Sequence, residues 1–231
     1  MALAIQLLGG FQVRDGDAVV AELDSPRVQA LLARLVLNAG TPQPRAQLAF
    51  LFWPETTESQ SRTNLRKALY ELRQALPQSG QFLALDSATL AWKVDAPYHL
   101  DVRAFTDAAA AARSAAEFEQ AVALYRGDLL PSCYDDWLVP ERERLRQTFA
   151  QLLERAIAQR EGQGDHAGAL AFAQRLHEQD PLSEVAYRHL MRLHARAGDR
   201  TAALRAFDTC LLTLQRELGI KPSAATRTLY E

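Results

Sequence analysis

The stretch Ser61 to Leu76, SRTNLRKALYELRQAL, reads as one amphipathic helix with two faces that cannot both be satisfied by solvent. At about 100° per residue, Leu65, Leu69, Leu72 and Leu76 fall in one narrow stripe, and Arg62, Arg66 and Arg73 line up beside it. Thr63, Lys67 and Tyr70 spread further round the same outer side. The leucines demand a core behind the helix. The arginines can grip phosphates or fork onto guanine O6 and N7, which suits a helix lying in the major groove of duplex DNA. An ordinary solvated charged face would use the same residue types, so what flanks the helix decides between the two.

Leu3 to Leu8 and Phe11 to Val13 read as short strands around Gly9-Gly10, and Ala18 to Leu23 adds another after the Asp15-Gly16-Asp17 turn. Together they predict a small antiparallel sheet. Ser25-Pro26 supplies a cap and a first-turn proline for a helix that runs until Asn38-Ala39-Gly40 stops it. A second helix is expected from Pro44 to about Phe52, ended by Trp53-Pro54. Glu55 to Gln60 reads as a polar loop leading into the basic helix. After Leu76, Pro77 and Gly80 break that helix, and Phe82–Leu85, a turn over Asp86–Thr89 and Leu90–Val94 read as a hairpin. Strands, three helices and a hairpin are the order of the winged helix-turn-helix, whose third helix enters the major groove. The leading sheet makes this an α+β winged helix-turn-helix resembling the OmpR/PhoB type.

From Asp101 onward the sequence is rich in alanine, leucine and arginine with helical periodicity and almost no strand signal. Within it, Gly164-Asp165-His166-Ala167-Gly168-Ala169-Leu170 returns 34 residues later as Gly198-Asp199-Arg200-Thr201-Ala202-Ala203-Leu204. Thirty-four is the tetratricopeptide period, in which glycine turns the chain between paired helices and small alanines let neighbours share a core. Asp180-Pro181 separates the helices near Leu170 and Leu190, and Lys221-Pro222 takes a similar place after the last long helix. The fold expected is therefore mainly α, with a winged-helix DNA-binding domain over residues 1–97 and an all-α, TPR-like helical-repeat domain over residues 98–231.

The 231 residues, 48% hydrophobic, are enough for two such cores. Net charge is −2, with nine basic and nine acidic residues before Pro97 and seventeen and nineteen after it. No global basic field exists, which argues against a non-specific nucleic-acid coat but not against a reader whose positive charge is confined to one helix. Cys133 and Cys210 are isolated thiols without metal or redox spacing, as expected of buried, reduced cysteines in a cytoplasmic protein. MALAIQLLGGF lacks a basic leader and is broken too soon by Gly9-Gly10 to span or be exported, so no membrane association is expected.

Taken together, these features resemble the Streptomyces antibiotic regulatory protein (SARP) family, an OmpR-type winged helix followed by a bacterial transcriptional activator domain of TPR-like helices. The likeness is carried by Leu7-Leu8-Gly9-Gly10-Phe11, Ser25-Pro26-Arg27 through Ala33, Leu51-Phe52-Trp53-Pro54 and the basic helix. Further on it is carried by Asp101-Val102 with Phe105, Tyr125-Arg126-Gly127-Asp128-Leu129-Leu130, Asp136-Trp137-Leu138 with Glu141-Arg142, Asp180-Pro181-Leu182 and Glu217 to Ser223. The resemblance implies a cytoplasmic activator that binds direct-repeat promoter DNA, self-associates as side-by-side copies there and contacts RNA polymerase. It makes Arg62, Thr63, Arg66, Lys67, Tyr70 and Arg73 candidates for DNA contact through the third helix. Arg27 and Arg45, at the starts of the first and second helices, become candidates for phosphate. Ser87, Thr89 and Lys93 are what the wing offers, on a tip that is only weakly basic. Glu55 and Glu58, in the loop Pro54 to Gln60, become candidates for a polymerase-facing surface, and a merely solvated loop fits them equally. Many relatives continue into further domains, so a short member and a piece of a longer regulator both fit.

No enzymatic, cofactor or metal constellation emerges. Gly162-Gln163-Gly164-Asp165 lacks the lysine and hydroxyl of a phosphate loop, and His189 and His194, five apart, fall on different helix faces. Trp53, Trp92 and Trp137 could stack on bases, but Trp53 and Trp137 sit at helix boundaries beside apolar residues and read as core. Two rivals remain: a TPR-like interaction adaptor with a structural winged helix, and a module sensing a small effector.

Overall fold

In a computed structural model describing residues 2–231, the chain is mainly helical with a few short strands. It divides into two compact units. One comprises Met1–Asp107 with Leu124–Leu145, and the other comprises Ala108–Ala123 with Arg146–Glu231.

The first unit opens with β1 (Leu3–Gln6), β2 (Gln12–Asp15) and β3 (Ala18–Val19), successive antiparallel neighbours. The predicted antiparallel sheet needs correction, because β7 (Tyr98–Leu100) joins the free edge of β1 in parallel and gives the order β3-β2-β1-β7. Three residues after a proline carry too little alternation to be seen as a strand in isolation. β3 is also much shorter than Ala18 to Leu23, leaving only Val20 N–H donating onward to Val13. Leu8 bridges Leu129, and Gly9, at φ +76°, lies so close to the Arg126 carbonyl that a Cβ would come within 2.6 Å of it. This is a backbone approach that requires glycine.

Helix α1 (Pro26–Leu37) begins at the predicted proline and buries Val28, Leu31, Leu32, Leu35 and Val36. Helix α2 (Arg45–Phe52) buries Leu48, Ala49 and Phe52, and α3 (Glu58–Ala75) packs against both. α3 starts three residues earlier than its leucine stripe suggests, because the Thr57 hydroxyl accepts from Gln60 N–H at 3.3 Å and caps the helix. The hairpin follows as β5 (Leu83–Leu85) and β6 (Thr89–Trp92), and β6 also pairs with β4 (Gln43–Pro44) just before α2. Trp92 is fully buried and stacks on Phe82, so it is not a base-stacking surface.

Chain beyond residue 97 contributes to this unit as well. The Asp101 carboxylate, at the start of α4 (Asp101–Ala111), accepts from the backbone N–H groups of Leu7 and Leu8 at 2.8–3.0 Å. Burial raises the Asp101 pKa, and these bonds together with that from Val102 N–H oppose the rise. In Leu124–Leu145, Arg142 near the start of α6 (Val139–Gly162) donates to the carbonyls of Leu129, Leu130 and Cys133.

The second unit contains α5 (Ala115–Leu124) for most of its length, the rest of α6, and then α7 (His166–Gln179), α8 (Glu184–Arg196), α9 (Arg200–Leu218) and α10 (Ala224–Tyr230). α7 packs on α8 and α8 on α9. The 34-residue echo marks two identical turns. Gly164 and Gly198 hold φ near +74° and +80°, and the Asp165 and Asp199 carboxylates each accept, at 2.9 Å, the N–H three residues on. Each glycine ends one helix in the left-handed conformation and each aspartate caps the next.

Candidate nucleic-acid interface

Helix α3 separates its two faces cleanly. Ser61, Leu65, Ala68, Leu69, Leu72 and Ala75 are buried, and Arg62, Thr63, Arg66, Lys67, Tyr70 and Arg73 are exposed, Tyr70 to 63%. The side chains foreseen to point outward do so, on a single surface. Burying a leucine such as Leu72 is worth about 1.5–3 kcal/mol, so the helix is held from behind while its outer side chains stay available.

The outer side of α3 carries acidic residues among the basic ones. Glu58 lies in the first turn of α3 rather than in the preceding loop, and it ion-pairs with Arg62 one turn on. Arg66 Nε donates to the Arg62 carbonyl at 3.3 Å and its Nη2 to the Thr63 hydroxyl at 3.2 Å. Lys67 lies 3.8 Å from Glu71. Arg73, in the last turn, is exposed.

The remaining candidates are more committed to the fold. Arg27 pairs with Asp135 at 2.7 Å, a partner more than a hundred residues away and invisible to local pattern. The Arg45 backbone N–H donates to the Ala88 carbonyl at 2.8 Å, which removes it from phosphate binding, and the side-chain Nε is buried without a hydrogen-bond partner among the described residues. Lys93 Nζ donates to the Gly80 carbonyl at 2.7 Å. At the hairpin turn Asp86 accepts from the Thr89 hydroxyl and from the N–H groups of Thr89 and Ala88, bonds that hold its pKa below the ordinary carboxylate value. Ser87 is exposed, Thr89 is engaged, and the turn carries a negative charge.

Local pattern missed an aromatic ridge in the same unit. Phe50 on α2 is 72% exposed and Tyr134 is 88% exposed. With Pro54, they line a hollow of about 330 Å³ that also includes Asp135, Asp136 and Trp137. Phe50 lies off the Leu48–Phe52 line, which was the available signal; nothing periodic marks Tyr134. Trp137 is half-buried, edge-on to Phe52 and beneath the Arg34 guanidinium, in keeping with a core role. Among the described residues no group of three or more His, Cys, Asp or Glu is placed to hold a metal. No described helix is long and apolar enough to cross a membrane.

Residues 98–231 match the family described as Bacterial transcriptional activator domain. Regulatory protein AfsR of Streptomyces coelicolor is 29% identical over 241 residues, covering 100% of this chain and 24% of AfsR. Regulatory protein DnrI of Streptomyces peucetius is 28% identical over 248 residues, covering 98% of this chain and 90% of DnrI. Among solved structures, Mycobacterium tuberculosis EmbR in complex with low affinity phosphopeptide shares the fold. Its TM-score is 0.76 at 24% identity, over 99% of this chain and 64% of that one. The chain thus spans about a quarter of AfsR and most of DnrI.

Proposed function

Since the chain belongs to the bacterial transcriptional activator domain family and is a transcriptional regulator of the SARP-like kind, we propose that it binds promoter DNA sequence-specifically through the outer face of α3. In this reading residues 1–97 form an OmpR/PhoB-type winged helix-turn-helix, with β5 and β6 as the wing, and residues 98–231 form the TPR-like activator domain. The carrying observation is the face of Arg62, Thr63, Arg66, Lys67, Tyr70 and Arg73 set opposite a buried leucine stripe. Its named relatives are regulatory proteins, which supports regulation rather than catalysis.

Arginine–guanine pairs, each worth about 1–3 kcal/mol of discrimination, supply specificity, and phosphate neutralisation supplies much of the affinity. Arg45 is the preferred phosphate contact among the helix-start arginines, because Arg27 is already paired with Asp135. Copies bind side by side on direct repeats in the cytoplasm and recruit RNA polymerase. Phe50, Tyr134 and Asp136 around the hollow, with the exposed Glu55 in the α2–α3 loop, support a protein-facing surface.

The test is selection of bound duplexes from a random pool, followed by anisotropy titration of the enriched duplex against a scrambled one at two salt concentrations. A direct repeat bound at least about a hundredfold more tightly than the scramble is expected. Arg66→Ala should relax preference at one base, while Arg45→Ala should weaken all duplexes alike and lower the salt slope by about one. Weak, purely salt-dependent binding without enrichment would remove the DNA-reading assignment and favour an adaptor.

A further inference from the structure

We infer that Glu58 and Thr63 are positioning residues that fix the Arg62 and Arg66 guanidinium groups for base reading, rather than a polymerase contact and a direct DNA contact; this rests on the DNA-reading role of α3. Glu58, Arg62, Arg66 and Tyr70 stand four residues apart along one line of the helix, so each meets the next one turn on. The Glu58 carboxylate holds the Arg62 guanidinium. The Thr63 hydroxyl donates to the Ser59 carbonyl at 3.0 Å, which turns a lone pair outward to accept Arg66 Nη2 at 3.2 Å. Arg66 Nε is tied in addition to the Arg62 carbonyl. Both arginines are thereby anchored to the turn that precedes them.

A free arginine surrenders much rotamer freedom when it forks onto a base, and one already held in place surrenders less. Glu58 also brings a negative charge close to where the DNA backbone must come, and that repels every duplex equally. Its two effects therefore have opposite signs: it weakens binding to any DNA and sharpens the choice between duplexes. A residue that merely stabilises the helix has no such signature, and neither does one that faces only a protein partner.

The test uses the full chain and the variants Glu58→Gln, Thr63→Val, Arg62→Ala and the double variant Glu58→Gln/Arg62→Ala, each checked for unchanged helix content by circular dichroism. Anisotropy titrations cover the duplex enriched by the wild type, its single-base variants and the scramble. Glu58→Gln is expected to bind the scramble more tightly while losing about twofold of the preference for the base that Arg62→Ala identifies, the factor that an exposed ion pair one turn apart can supply. In the Arg62→Ala background, Glu58→Gln should leave the remaining base preferences unchanged. Thr63→Val should lower preference at the Arg66-dependent base by a similar factor. Glu58→Gln with full discrimination overturns the proposal, and so does an Arg62→Ala that weakens all duplexes evenly. Full discrimination combined with reduced transcription in a reconstituted promoter assay overturns it in favour of a polymerase-facing Glu58. A wild type with no preference among duplexes instead defeats the underlying DNA-reading assignment, a result distinguishable because it precedes any variant.

Discussion

Arg142→Met should destabilise the first compact unit by about 2–4 kcal/mol. The guanidinium donates to the carbonyls of Leu129, Leu130 and Cys133, with Nε to Leu129 at 2.7 Å. Methionine keeps most of the aliphatic packing and removes every donor. The Leu130 carbonyl retains the Cys133 N–H at 2.9 Å, but those of Leu129 and Cys133 have no other donor among the described residues. Two orphaned carbonyls at about 1–3 kcal/mol each set the range, and the half-exposed Cys133, which water can reach, takes the lower end. The turn they close already carries Leu130 at φ +44°, a left-handed conformation that costs a non-glycine residue about 1–2 kcal/mol and so depends on its surroundings. All three tryptophans, Trp53, Trp92 and Trp137, belong to this unit, so tryptophan fluorescence during urea unfolding reports on it selectively. The midpoint should fall by about 1–2 M. Arg142→Lys, which keeps the charge but cannot fork, should recover less than half of the loss. A methionine variant within about 0.5 kcal/mol of wild type would refute the clamp.

Gly9→Ala should destabilise the same unit by at least about 2 kcal/mol, since it combines a strained φ with a Cβ only 2.6 Å from the Arg126 carbonyl oxygen, and a fluorescence-monitored melt checks it. Asp101, its pKa raised by burial, contributes stability that is fully present below the ordinary carboxylate value and is lost as pH rises through its folded value. The stability difference between wild type and Asp101→Asn should therefore shrink as pH rises, and a difference that grows would show that the backbone N–H bonds outweigh burial. Glu184 behaves oppositely. Although burial raises its pKa, donors from Thr226 and Ser223 prevail and lower it, so Glu184→Gln should forfeit stability near neutral pH that wild type itself loses as pH falls through the depressed value. Amide exchange in α10 reads that change. Cys210 is buried with its pKa pushed up to about 11, so native protein at pH 8 should alkylate at the half-exposed Cys133 first and at Cys210 only on unfolding, as peptide mass mapping would reveal.

Sequence by itself determined the features written in local periodicity and turn chemistry. The leucine stripe of α3 and its outward basic side chains were legible because a helix repeats every 3.6 residues whatever surrounds it. The Gly164-Asp165 and Gly198-Asp199 echo was legible for a related reason, since glycine and aspartate satisfy helix ends through bonds that span only three residues. The tertiary structure decided everything that depends on contact between distant segments. It placed β7 in parallel beside β1, set the Asp101 carboxylate on the N–H groups of Leu7 and Leu8, and engaged Arg27 with Asp135. Glu58 belongs with the local features: the Thr57 hydroxyl caps α3 through Gln60 N–H only three residues on and so brings Glu58 into the helix one turn before Arg62. Whether an arginine faces DNA or serves the fold is a choice among partners, and partners brought together across a hundred residues of chain leave no local period by which to find them.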